Sequence, residues 1–327
     1  MTEYDLAVRG GDLVTAASRM TCDIGVKDGD IVALAKSLGP AARDIDATGK
    51  LVLPGGIEGH CHIEQKSAFG LMTSDDFESA TVSAAFGGNT TVIPFAAQHR
   101  GDSLRRTVDE YHGRAGPKAV IDYGFHLIIS DPTPEVLGQE LPALIESGLT
   151  SFKVFMTYDL LRLDDRQMLD VMDTARREGA MVMIHAENYE MIRWLTEKLI
   201  EGGNSAPKYH AVSHSRIGEG EATHRAIALS RLVDTPILIV HVSTGEATTE
   251  IRRAQDMGLK VYGETCPQYL FLTADDLDKE GMEGAKFCCS PPPRDAAAQE
   301  VIWRGLNNGT FQVFSSDATP IGSLAGE

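Results

Sequence analysis

The sequence predicts an α/β protein, a (β/α)8 TIM-like barrel preceded by a small N-terminal β-sheet (β-sandwich) module. Three observations carry this. Short apolar runs rich in β-branched residues recur eight times after Pro54, and helix-patterned stretches separate them, which is the rhythm of parallel βα units. Of 327 residues, 43% are hydrophobic and 24% charged, enough to build a sizeable core.

Residues 1–53 hold alternating apolar segments at 4–8, 13–15, 23–26, 31–35 and 47–53, parted by Gly-Gly and Asp-Gly turns. They read as the β module. Residues 54–327 read as the barrel, with strands at 56–63, 90–95, 120–129, 151–156, 181–186, 237–242, 260–264 and 312–316. Helices are expected at 77–86, behind the capping run Ser74, Asp75 and Asp76, and at 134–147, 164–178, 187–201 and 244–257. The stretch 202–220 reads as one long loop. Only 318–327 follow the eighth strand, so the last helix is expected to be absent and a C-terminal part missing. That would leave the β module incomplete and Phe311, Val313 and Phe314 facing solvent.

Thirty Lys and Arg against 47 Asp and Glu give a net charge of −17, which repels phosphate backbones and anionic lipid. Nucleic acid and membrane partners are therefore not expected. No apolar run approaches the ~20 residues of a spanning helix, and the expected location is cytoplasmic. Five irregularly spaced cysteines read as reduced thiols.

In such a barrel, chemistry gathers at the C-terminal ends of the strands. His60 and His62 end the first strand, two residues apart and so on one side of it. They suit one metal ion, or a hydrogen-bonded pair in a polar pocket. Lys153 lies inside an apolar run, where burial lowers its pKa. A neutral amine there can take up carbon dioxide to form a carbamate able to bridge two cations; snorkelling or a carboxylate partner is the other reading. His185 and His241 end the fifth and sixth strands and Asp317 the eighth. Each has a plain structural reading alone, as satisfied core histidines and a turn acid. Together they would crowd desolvated polar groups at one mouth, and metal binding would compensate them. His99, His112, His126, His210, His214 and His224 read as core or surface residues, with His210 and His214 set apart by their loop.

The segments Pro54-Gly55-Gly56-Ile57-Glu58-Gly59-His60-Cys61-His62, Phe152-Lys153-Val154-Phe155-Met156-Thr157-Tyr158, His185-Ala186-Glu187-Asn188, Gly220-Glu221-Ala222, His241-Val242-Ser243, Glu264-Thr265-Cys266-Pro267-Gln268-Tyr269-Leu270, Cys289-Ser290-Pro291-Pro292 and Ser315-Ser316-Asp317 occur in one order along the chain. In this set the chain resembles the cyclic amidohydrolases of the hydantoinase and dihydropyrimidinase branch. The resemblance implies two divalent ions, usually zinc, with His60, His62 and Asp317 on one, His185 and His241 on the other, and carboxylated Lys153 between them. It implies that Tyr158 donates to the developing oxyanion, that the Ser290 backbone holds the substrate amide, and that Asp317 moves the proton to the leaving nitrogen. The implied reaction is hydrolytic opening of a cyclic amide or ureide, of hydantoin or dihydropyrimidine type, by a hydroxide shared by the two metals. The implied assembly is a homotetramer. Alternatives within this resemblance are a cyclic imide or allantoin hydrolase, and a non-catalytic scaffold protein. The chain departs from the family at 63–70, where relatives carry an apolar Met-Pro-Phe segment, at Ala318, where they carry histidine, and at 209–216, which lacks an Arg-Pro pair.

Overall fold

The computed structural model describes residues 3–67 and 70–319, and the chain divides into two compact units, Met1–Gly56 and Ile57–Glu327. In the first, β1 (Tyr4–Val14) pairs antiparallel with β2 (Arg19–Lys27), and β2 with β3 (Asp30–Ala35). β4 (Ala41–Asp46) and β5 (Leu51–Val52) run parallel to β1. Two sequence expectations are corrected here. The runs at 4–8 and 13–15 are one strand, with a register shift between Val8 and Gly11. β4 escaped notice because Arg43, Asp44 and Asp46 give it a loop's polarity, which an exposed edge strand tolerates.

The second unit has strands near each of the eight expected runs, but those at 90–95 and 120–129 are each split into two short strands that lie in different sheets, so ten strands are found. In order they are β6 (Gly56–Glu58), β7 (Asn89–Val92), β8 (Phe95–Ala97), β9 (Asp122–Tyr123), β10 (His126–Ile128), β11 (Ser151–Phe155), β12 (Met181–His185), β13 (Ile237–Ile239), β14 (Val261–Thr265) and β15 (Val313–Phe314). One sheet runs β15-β14-β13-β12-β11-β10-β8 and another β6-β7-β9. A parallel bridge between Cys61 and Ala318, with the His62 N–H donating to the Ala318 carbonyl at 2.8 Å, joins the last strand run to the first.

Strand alternation sorts the side chains. Phe152 and Val154 of β11 and Val182 and Ile184 of β12 enter the large core beneath the helices, with Met168, Val171 and Ala226. Phe155 and Met183 face the barrel interior with Phe95, Ile128 and Leu238. Lys153 and His185 share that inward parity, so the strand period itself aims them into the barrel.

The helices Phe77–Phe86, Asp165–Glu178 and Gly245–Asp256 begin at Asp76, Asp164 and Thr244, whose side chains accept from backbone N–H groups of the first turn. The expected loop at 202–220 contains a short helix, Tyr209–Ser213, and the start of Arg216–Val233, capped by Ser215. Its glycines suggested a loop, yet Gly220 serves helix packing: a Cβ there would lie 2.7 Å from Cβ of Glu246. Leu104–Ala115 and Ala296–Asn307 are further helices beyond those expected.

Phe311 is also corrected. It is buried, its ring seated against Gly305, where a Cβ would come within 2.3 Å of Cε2; Phe314 is half exposed. The expectation about the end of the chain falls on 320–327, outside the described residues. No helix among the described residues is long and apolar enough to cross a membrane.

Candidate metal centre

Six side chains from five strand ends meet inside the barrel mouth. His60 Nε2 lies 2.8 Å from Lys153 Nζ and 3.1 Å from Asp317 Oδ1, and His62 Nε2 lies 3.3 Å from the same oxygen. The rings of His185 and His241 are 4.5 Å apart, and those of His60 and His241 5.5 Å. His60, His241 and Asp317 each present a ligand atom within 4.8 Å of the others.

The second nitrogens of three of these rings are already engaged. His60 Nδ1 donates to Glu264 Oε1 at 2.6 Å, His62 Nδ1 to Gln65 Oε1 at 2.7 Å, and His185 Nε2 to Glu187 Oε2 at 2.8 Å. These bonds fix ring orientation and leave the opposite nitrogen for a cation. Both ring nitrogens of His241 are buried with no hydrogen-bond partner among the described residues. Leaving a buried polar group unpaired costs about 1–3 kcal/mol, so a donor set with an unpaired imidazole beside a carboxylate fits a metal ion.

Backbone conformation reinforces this placement. Strict alternation after Ile237 and Ile239 would turn His241 outward, but its φ of 41° breaks the pattern. Tyr158 (φ 73°) and Asp317 (φ 50°) also adopt the left-handed region. Non-glycine residues there cost roughly 1–3 kcal/mol each, a strain that gathers where side chains must be aimed.

Lys153 is buried, with Nζ 4.8 Å from the Phe95 ring centre and 5.1 Å from that of Phe155. It does not snorkel, and no carboxylate among the described residues lies within ion-pair distance. Burial lowers its pKa, against the pull of Asp317 and Glu264. Burial alone would raise the Asp317 carboxyl, but His60 and His62 hold it well below the usual carboxylate range. Burial likewise opposes charge on His60, yet Glu264 and Asp317 push it up to about 9. Three carboxylates, Asp317, Glu264 and Glu187, thus already face imidazoles of the cluster.

A cavity of about 580 Å³ opens above the cluster, bordered by Tyr158, Ser290 and Asp317 and by Gln65 and Lys66 of the 63–70 loop. Burial, followed by the Glu187 charge, drives the Tyr158 hydroxyl far above its ordinary pKa, so it stays protonated; hydrogen bonding with the Ser290 side chain partly offsets this. His99, read from sequence as core or surface, also lines the cavity. His126 fits its core reading, bonded to Ser151 and to the Gly59 carbonyl, and His224 is an exposed partner of Glu250. Sequence reasoning gave no role to Glu187, Glu264 and Gln65. Glu187 and Glu264 were legible as charged residues inside apolar or quoted segments; Gln65 had no signal.

Beside the cluster, Glu187 Oε1 accepts from His214 Nδ1 at 2.9 Å. His210 Nε2 lies 2.8 Å from the Cys289 carbonyl oxygen and 3.2 Å from Ser290 Oγ. Buried Arg294 pairs with Glu219 at 3.0 Å and donates to the His214 carbonyl.

No family model matches the chain. It is 45% identical to a D-hydantoinase of Rhizobium radiobacter over 314 residues, 96% of this chain and 68% of the relative. It is 35% identical to D-phenylhydantoinase of Escherichia coli over 95% of its length, 67% of the relative. Among solved structures, a dihydropyrimidinase from Brevibacillus agri superposes with a TM-score of 0.94 at 41% identity, covering 98% of this chain and 69% of that one. The chain therefore spans about two thirds of the length of these relatives.

Proposed function

Because the chain belongs to the hydantoinase and dihydropyrimidinase family of cyclic amidohydrolases, we propose that it opens a hydantoin-type cyclic amide by hydrolysis, at the cluster just described. The observation that carries this reading is the convergence of His60, His62, Lys153, His185, His241 and Asp317 beneath a cavity sized for a small ring. His60, His62 and Asp317 would hold one divalent ion, zinc by resemblance, and His185 and His241 a second. Lys153, as its carbamate, would contribute an oxygen to each. Such an ion pair, when bound, acidifies water and polarises the scissile carbonyl.

The chain's own residues then have separable tasks. Asp317, tied to His60 and His62, accepts the water proton and returns it to the ring nitrogen as the C–N bond breaks. Tyr158, held protonated, donates to the carbonyl oxygen as it gains charge. Backbone groups at Ser290, which lines the cavity, hold the amide of the ring. The assembly in solution, by resemblance, is a homotetramer.

Tyr158→Phe tests one of these tasks. It removes a single oxyanion donor and should lower kcat by ~10²- to 10³-fold while KM changes little. Unchanged kcat would assign Tyr158 to the pocket wall. The reading as a whole is tested by initial rates on hydantoin, dihydrouracil and a simple cyclic imide, with the ring-opened acid identified by mass. Preference for the imide would favour the imide-hydrolase alternative, to which the Gln65 and Lys66 loop at the cavity rim lends itself.

A further inference from the structure

The tasks assigned above leave His210 and His214 idle, yet both stand in one buried line of contacts. His185 donates to Glu187, whose other oxygen accepts from His214. The His214 ring lies 4.3 Å from that of His210, and His210 Nε2 reaches the Cys289 carbonyl at 2.8 Å and Ser290 Oγ at 3.2 Å. A carbonyl oxygen can only accept, so His210 carries its proton on Nε2 and is the donor. Burial and the neighbouring His214 lower the His210 pKa to about 4, which keeps the ring neutral at physiological pH.

His210 is itself well braced. The His210 N–H donates to the Pro207 carbonyl at 3.0 Å and the His214 N–H to the His210 carbonyl at 3.1 Å. The His214 carbonyl is in turn held by buried Arg294, which Glu219 and Ser243 fix at 3.0 Å each. The Tyr269 hydroxyl donates to the Pro291 carbonyl at 2.8 Å. The segment Cys289–Pro291 is therefore held by His210 at the Cys289 carbonyl and by Tyr269 at the Pro291 carbonyl, and Cys289 and Ser290 themselves line the cavity.

We propose that His210 is a positioning residue for ring opening: its Nε2–H clamps the Cys289 carbonyl and thereby sets where Ser290 presents the substrate amide to Tyr158 and the metal-side histidines. This rests on the substrate-holding role given to Ser290 above. A displacement of about 1 Å at a reacting centre can cost ~10²-fold, so a lost clamp should be felt in the chemistry without touching a metal ligand.

Two variants and two independent readouts test it. His210→Phe keeps a ring and removes the donor, whereas His210→Gln returns an amide N–H near the place of Nε2. Alkylation of the part-buried Cys289 by iodoacetamide, relative to exposed Cys288, reports loosening of the segment without any turnover. The ratio should rise in His210→Phe and fall back in His210→Gln, while kcat/KM for hydantoin falls by ~10²-fold and then largely recovers, with metal content unchanged throughout. An unchanged Cys289 ratio in His210→Phe would overturn the proposal, as would activity lost in step with metal or not regained in His210→Gln. A rise and recovery of the ratio with no hydantoin turnover in the unsubstituted chain would uphold the clamp and contradict the proposed function instead.

Discussion

Lys153→Ala should leave the protein folded, reduce its metal content from about two ions per chain, and abolish most ring-opening activity. Lys153 is almost without exposure, its amine faces His60 at 2.8 Å, and its parity on β11 allows no other direction than the barrel interior. A protonated amine among four histidines would repel cations, whereas reaction of the neutral amine with carbon dioxide, with loss of one proton, yields a carbamate with two oxygens. The low pKa that burial imposes is the condition for that reaction. Removing a residue that, as proposed, would help hold both ions should cost more than the roughly 10- to 100-fold loss in metal affinity or activity typical of an outer hydrogen-bond partner. Partial rescue of Lys153→Ala by a short carboxylic acid, restoring metal and turnover together, is the expected signature, since an added carboxylate can replace the carbamate oxygens. Full activity in Lys153→Ala would contradict the assignment.

Asp317→Asn should lower kcat by ~10²- to 10⁴-fold, the range for a lost proton-transfer group, with smaller loss of metal than Lys153→Ala. The amide preserves shape, and its oxygen can still approach His60 and His62, but it has no basic oxygen to take a proton. Asp317 sits at φ 50°, between Ser316, whose N–H donates to Glu58, and Ala318, whose carbonyl accepts from His62. The backbone is thus held on both sides, and the variant should keep its thermal midpoint. Turnover equal to the unsubstituted chain would move the proton to another group.

Much of this candidate site is legible in the sequence. The apolar alternation of β11 and β12 points Lys153 and His185 inward on parity alone, and β6 with its following residues carries His60 and His62 as a pair. His241 was named from its place at a strand end, although alternation by itself would have turned it outward; only its left-handed backbone brings it to His185. Glu264 acts on a ring 204 residues away, Gln65 acts from a loop of unusual composition, and Glu187 bonds the His185 ring from just beyond the end of β12, so no periodicity marks these partners. The same limit hid β4, an edge strand whose charged residues resemble a loop, and made 202–220 look irregular when Gly220 serves close helix packing. Local pattern therefore fixed direction along each strand, while tertiary partners decided which polar groups are satisfied.

The central claim is that this cluster is a metal-dependent ring-opening site. Its most direct test is elemental analysis of protein purified without chelator, coupled to hydantoin turnover before chelation, after it, and after divalent metal is restored. The account predicts about two divalent ions per chain and turnover that disappears and returns with them. Hydantoin opened at full rate by protein stripped of metal would contradict it.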